Sequence, residues 1–370
     1  MLKMKMSLNK LAIIRMMNKV KSLYIHIPFC NKICDYCDFT KLQYFRNFAS
    51  KYLEALKEEL NSYQIKDLKT IYVGGGTPTA LEDDLFEELL VIIDQYTSGV
   101  QEYTFEANPE SLSLNKIKLL KSHGVNRVSL GVQTTDDKII QAVNRDHSFE
   151  QVKTAVENLK DNGIDNINVD LILGLPHTSE KILRKDLENI LSLNVKHVSC
   201  YGLTVNPHTV LFNKGFKEPE GDVLRQYYDI VEEELVKSGF IHYEVSNWAK
   251  PGYQSEHNLT YWRNEQYFGC GLGASGYLGE TRYKNTVNLS QYLERVFVSE
   301  KEEVSSRDKL TYQIMLNLRT TEGFNIEFVK DKTKEIEELI CGGFLKKEGD
   351  RIIPTYGGMM TLDQIILKLI

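Results

Sequence analysis

Two rhythms alternate along the first two-thirds of this 370-residue chain. Short runs rich in β-branched and aromatic residues predict strands at residues 23–27, 70–73, 102–105, 127–130, 166–172 and 197–201. Between them, apolar residues recur at helical spacing. Phe48, Tyr52, Leu53, Leu56 and Leu60 make one such stripe; Val152, Val156 and Leu159 make another. Strand and helix in succession predict a parallel sheet with helices outside it. Six such units predict an α/β fold, a partial (β/α)6 barrel, with its chemistry gathered at the C-terminal ends of the strands.

The unusual residues fall where that fold would need them. Cys30 follows the first strand, GGGTP (residues 74–78) the second, EANPE the third and GVQT the fourth. Asp170 lies within the fifth, and YGLT closes the sixth. Beyond residue 206 the rhythm changes. A helix near 223–237 leads into the aromatic and polar stretch HYEVSNWAKPGYQSEHNLTYW. From residue 305 the pattern reads helix, helix, then a hairpin around FLKKEGDRII, as in a small winged-helix-like α+β module. The expected division is an extension at 1–20, a barrel at 21–206, a connecting region at 207–304 and a C-terminal module at 305–370.

Composition narrows the function. Hydrophobic residues make up 42% of the chain, enough for a large core. The net charge of −6, with no concentrated basic stretch, argues against nucleic acid as a main partner. The basic, Met-rich N-terminus has an apolar run of only residues 11–14 before Arg15, too short for a signal-peptide core. No later run approaches the roughly 18 apolar residues of a membrane span, so membrane contact should be peripheral at most. Six cysteines in so long a chain suit a reduced, cytoplasmic setting.

Half of those cysteines share one loop, with the spacing Cys30-x3-Cys34-x2-Cys37. Soft thiolates favour zinc, copper(I) or iron–sulfur clusters. A closed zinc site needs a fourth ligand at paired spacing, and no downstream pair supplies one. Cys200, Cys270 and Cys341 stand alone and read as small buried hydrophobes. In a cubane [4Fe–4S] cluster, three local thiolates hold three irons and leave the fourth open to an exogenous ligand. Gly75, Gly76 and Thr77 offer backbone N–H groups to a ligand or simply make a tight turn. Glu106, Gln133, Arg145 and Asp170 line the rim or are solvated charges on it. GLGASG (residues 271–276) fits a dinucleotide fingerprint in letters only; late in the chain and after an aromatic loop, it reads as a turn. His26 and His177 read as structural hydrogen-bonding residues near the rim.

The cysteine spacing after the first strand resembles the signature of the radical S-adenosylmethionine (SAM) superfamily. The resemblance implies that SAM chelates the open iron and is cleaved, after one-electron reduction, to a 5′-deoxyadenosyl radical. YIHIPFC, GGGTP, EANPES, GVQ, NRDH and DLILGLP further resemble the branch holding the oxygen-independent coproporphyrinogen III oxidases (HemN) and their HemW relatives. In that branch Tyr24, Gly75, Gly76, Thr77, Glu106, Gln133, Arg145 and Asp170 fall on SAM-contacting positions, with Thr204 near another. The oxidases carry a further cysteine two residues after the third cluster ligand, where this chain has Phe39. YEVSNWAKPGYQSEHNLTYW and YFGCGLGASGY resemble HemW instead. That side of the branch implies a haem chaperone with haem, haem-accepting proteins and a cluster reductant as partners, and leaves homodimerisation open. The alternative is oxidative decarboxylation of coproporphyrinogen III. His257, beside Tyr261 and Trp262, would contact haem on the first reading; otherwise it caps a turn among core aromatics.

Overall fold

A computed structural model describes residues 20–370. The extension expected at residues 1–20 lies outside them, except for Val20, which is buried in the core.

The six expected strands are present as β1 (Ser22–Ile27), β2 (Thr70–Gly75), β3 (Glu102–Ala107), β4 (Arg127–Gln133), β5 (Asn166–Leu173) and β6 (His197–Gly202). They pair in parallel and in chain order. β2, β3 and β4 gain two or three residues over their expected spans, all at the C-terminal end, and the other three gain one each. Gly75, Glu106 and Gln133 are therefore strand residues, whereas the sequence pattern placed them in the loops after the strands. Glycine and carboxylate residues read as turn signals, but here the neighbouring strands hold them in register, with Gly75 opposite Ile27 and Glu106 opposite Ser129.

Alternation along each strand separates two faces. Leu23, Ile25, Ile71, Val73, Val128 and Leu130 point outward into the main hydrophobic core. Helices α1 (Arg46–Ser62), α2 (Asp83–Asp94), α3 (Leu114–Ser122), α4 (Phe149–Asp161) and α5 (Glu180–Ser192) cover that face. Tyr52, Leu53, Leu56 and Leu60 of the first predicted stripe are buried as its spacing requires; Phe48 is not, since it sits in the first turn of α1 with its ring against Phe45, 47% exposed. A capping box between Ser148 and Gln151 starts α4, whose Val152, Val156 and Leu159 are buried. The inward face is polar: Tyr24, Tyr72, Glu106, Ser129, Asp170 and Ser199 alternate with those outward residues.

Residues past 206 extend this sheet. After α6 (Gly221–Lys237), strands β7 (Ile241–Glu244) and β8 (Asn247–Ala249) add an antiparallel hairpin beyond β6. After α7 (Glu256–Trp262), β9 (Phe268–Cys270) joins the opposite edge, parallel to β1. The nine-stranded order is β9-β1-β2-β3-β4-β5-β6-β8-β7. GLGASG follows β9 as a turn, clasped by the buried Glu59 carboxylate, which accepts from Gly271 N at 2.8 Å, and by the Tyr52 hydroxyl, which accepts from Leu272 N at 3.0 Å.

A second apolar cluster gathers residues of α8 (Ser306–Asn317), α9 (Thr333–Cys341), α10 (Leu362–Leu369) and a small sheet that includes the hairpin Leu345–Glu348/Arg351–Pro354. Ile314, Phe324, Leu339, Ile352 and Ile366 form its centre. It joins the barrel at β7, where Val245 N donates to Arg319 O and Thr321 N to Tyr243 O. Cys200 and Cys270 are buried, as read from the sequence. Cys341 is exposed, because it closes α9 on the solvent side. Among the described residues, no helix is long and apolar enough to cross a membrane.

Candidate functional site

The cysteine loop leaves β1 and returns on itself. Phe29–Cys30 pairs with Leu42–Gln43, and Tyr44 N donates to Cys30 O at 2.8 Å. Within the loop Cys37 N donates to Cys34 O at 3.2 Å, and Asp35 N reaches Val143 O at 3.1 Å. Asp35 also pairs with Lys214 at 2.5 Å. The loop is thereby tied to the segments after β4 and β6 and not only to its own strand.

Its three sulfurs face one cavity of about 360 Å³ at the C-terminal ends of the strands. Cys30, Cys34 and Cys37 line it together with Gly75, Gly76, Thr77, Glu106, Gln133, Arg145, Asp170 and Thr204. Residues contributed by widely separated turns of the chain thus meet in one space. Tyr24 does not line it; its hydroxyl is bonded to His26 Nδ1 at 2.9 Å. His26 in turn bonds Thr40 O at 2.8 Å, a structural role at the exit of the cysteine loop. Sequence reading missed Tyr36, Asn108, Ser129 and Tyr201, which also line the cavity. Ser129 and Tyr201 were signalled by the polar, inward-facing alternation on β4 and β6; Tyr36 had no signal beyond its place between two cysteines.

The surroundings of the sulfurs favour a negative group. Arg145 donates from Nη1 to Cys34 Sγ at 3.7 Å and to the Tyr36 hydroxyl at 3.1 Å, and from Nη2 to Gly131 O at 2.6 Å. Thr77 Oγ1 donates to Cys30 Sγ at 3.7 Å. A Cβ on Gly76 would lie 2.9 Å from Cys30 Sγ and 2.7 Å from the Pro28 carbonyl carbon, so only glycine leaves the sulfur its place. Gly75 has a φ of +117°, which turns the backbone so that its N–H donates to Glu106 Oε2 at 2.9 Å. Burial pushes the Cys30 thiol up to about 12 and the Cys37 thiol up to about 11. Loading a metal there would displace thiol protons, so occupancy should rise with pH.

Two carboxylates face the cavity. Glu106 accepts from the Tyr72 hydroxyl at 2.8 Å and from Gly75 N; burial nevertheless raises it to about 7. Asp170 accepts from Ser129 Oγ at 3.0 Å and Asn168 Nδ2 at 2.7 Å, and burial raises it as well. Gln133 has a φ of +71° at a register shift in β4.

These residues fit an iron–sulfur cluster with a zwitterionic nucleoside above it. Among the described residues no three His, Cys, Asp or Glu side chains are grouped to hold a single metal ion. Three thiols around a wall, with arginine and hydroxyl donors on two of the sulfurs, suit a larger anionic cluster. The cavity offers carboxylate and amide acceptors for amino and hydroxyl groups.

His257 is elsewhere. It is buried at the opposite, N-terminal end of the strands. Its Nδ1 is 2.8 Å from Thr70 Oγ1, its Nε2 is 2.7 Å from the Tyr261 hydroxyl, and its backbone N donates to Glu102 Oε1 at 3.0 Å. Burial pushes its imidazole down to about 3. Both ring nitrogens are engaged and the side chain is buried, so the ring as placed is not open to a ligand. The motif instead joins the barrel floor to the C-terminal module, with Trp262 O accepting from Asn317 Nδ2 at 2.7 Å.

The fold and the thiol-lined mouth define a class. Residues 24–190 match the Radical SAM superfamily profile. Among solved structures, the coproporphyrinogen III oxidase HemN of Escherichia coli superposes with a TM-score of 0.83, covering 96% of this chain and 92% of its own, at 20% identity; that likeness concerns the fold. Nearer in sequence are the proteins named Heme chaperone HemW. That of Lactococcus lactis is 38% identical over 96% of this chain and 98% of the relative, and that of Bacillus subtilis 41% identical over 82% and 84%. The chain belongs to the HemW family of the radical SAM superfamily.

Proposed function

We propose that the protein is a haem chaperone that carries a [4Fe–4S] cluster on Cys30, Cys34 and Cys37, binds SAM in the adjoining cavity and passes haem to haem-requiring proteins. The observation carrying this is the resemblance to proteins named Heme chaperone HemW along almost the whole chain, including the parts outside the barrel. When bound, the cluster and SAM would supply one-electron chemistry. The chain's own contribution is positional. Arg145 braces Cys34 and Tyr36, while Gly75, Gly76 and Thr77 give close backbone approach. Glu106 and Asp170 accept from the nucleoside, with Gln133 and Thr204 completing the wall. Free thiols at all six cysteines agree with a reduced, cytoplasmic setting and an electron donor there.

The second reading, coproporphyrinogen III decarboxylation, draws on the HemN fold, but Phe39 stands where that resemblance expects a cysteine. Anaerobically reconstituted protein should bind haemin with a stable Soret band. Given SAM, reductant and coproporphyrinogen III, it should yield no multiple-turnover product. Sustained turnover would replace the chaperone reading with the oxidase.

A further inference from the structure

Haem needs an accessible axial ligand and a flat apolar surface. The chain has eight histidines. His26, His197 and His257 are buried with both ring nitrogens engaged. His147 and His242 are buried as well, and His123 is bonded to Asp94 at 2.9 Å. Only His177 and His208 are exposed without a side-chain partner among the described residues.

The two differ in their neighbours. His177 follows β5 beside buried Leu175 and Pro176. His208 lies in the segment after β6 that is laced to the cysteine loop. Asn206 Nδ2 donates to Asp38 Oδ2 at 2.6 Å, and Leu211 N donates to Asp35 O at 2.9 Å. That lip carries an uncovered apolar set: Phe39 is 65% exposed, Phe212 48%, Tyr201 42% and Val210 40%. Large apolar side chains left uncovered on two segments that are bonded together point to a binding surface. Lys41, on the same lip, donates to Cys37 O at 2.5 Å and has no carboxylate within 4.0 Å among the described residues, so its remaining N–H groups are open to a propionate.

We infer that haem seats on the lip of the barrel mouth, against Phe39 and Phe212, with His208 as its axial ligand. This rests on the chaperone reading and adds a location to it. The site lies at the thiol-lined end of the barrel, opposite His257.

Haemin titration of the full-length, cluster-loaded protein separates the two claims. The wild type should bind; if it does not, the chaperone reading itself fails. In His208→Ala the imidazole signature in the Soret and EPR spectra should vanish and the apparent Kd should rise roughly tenfold or more. Added imidazole should restore the signature. Phe39→Ala with Phe212→Ala should weaken binding several-fold while iron content stays at the wild-type level. His177→Ala should match the wild type. A wild-type spectrum and affinity in His208→Ala, or the same loss in His177→Ala, overturns the assignment while leaving the chaperone reading in place.

Discussion

The two ends of this barrel are both rich in polar side chains, yet only one of them is built to receive anything. At the floor, Glu102 accepts from Ser255 Oγ and from the backbone N–H of Glu256 and His257, while Thr70 and Tyr261 occupy the His257 ring. His197 is likewise held between Asn168 and Tyr243. Around Glu102, His197 and His257 donor and acceptor are matched, and these groups stabilise a joint. At the mouth, Glu106, Asp170 and Arg145 face a cavity, and burial raises the pKa of two thiols there. A cluster of polar residues becomes a binding site when its hydrogen-bonding capacity is left over, and a structural element when it is used up.

The largest effect should come from the mouth. Replacing Cys30, Cys34 and Cys37 together by alanine should abolish iron and sulfide binding and leave a colourless protein, as read by iron assay and visible absorption. Retention of wild-type iron would break the contrast at once. Gly76→Ala should reduce cluster loading severely, since its Cβ would meet Cys30 Sγ at 2.9 Å; normal iron content would show that the loop can shift.

At the floor, His257→Ala should lower stability by about 2–4 kcal/mol, through lost hydrogen bonds and a buried void. Denaturant unfolding measures this, and haem affinity of the folded fraction should not change. The ring is depressed to about 3, so its contribution is present above its ordinary pKa near 6.5 and is lost as pH falls toward 3. The variant should therefore show a shallower acid limb.

Glu106→Gln should have the smallest effect on folding and the most telling sign. Burial raises the carboxyl to about 7, so folding favours its protonated form, and its stabilisation is lost as pH rises from about 4.5 through 7. The glutamine variant should melt higher than wild type at pH 8 and match it at pH 4. SAM affinity of the wild type, followed by isothermal titration, should rise through pH 7, and the variant should lose that dependence.

The barrel strands were legible because six apolar runs repeat with helices between them. The thiol loop was legible because three cysteines in eight residues have few other uses. Gly75, Glu106 and Gln133 were named as candidate site residues and do line the cavity, but were placed beyond the strands, since local turn chemistry cannot reveal that neighbouring strands hold them in register. Strands β7, β8 and β9 span three or four residues each, too short for a period to register. HNLTYW left two readings open for a physical reason. A histidine among aromatics has the same letters whether it faces solvent or a sealed floor, and only tertiary packing decides. His208 carried no signal in the sequence, because its segment meets the cysteine loop, distant in the chain, only in the folded protein.

One joint has a mechanical meaning. Helix α7 begins on the Glu102 carboxylate beneath the barrel and ends with the Trp262 carbonyl held by Asn317, while Arg263 grips Glu322 next to it. A partner that tugs on the C-terminal module therefore pulls on the β7 edge directly and, through α7, on the base of β3, a full strand's length from the sulfurs.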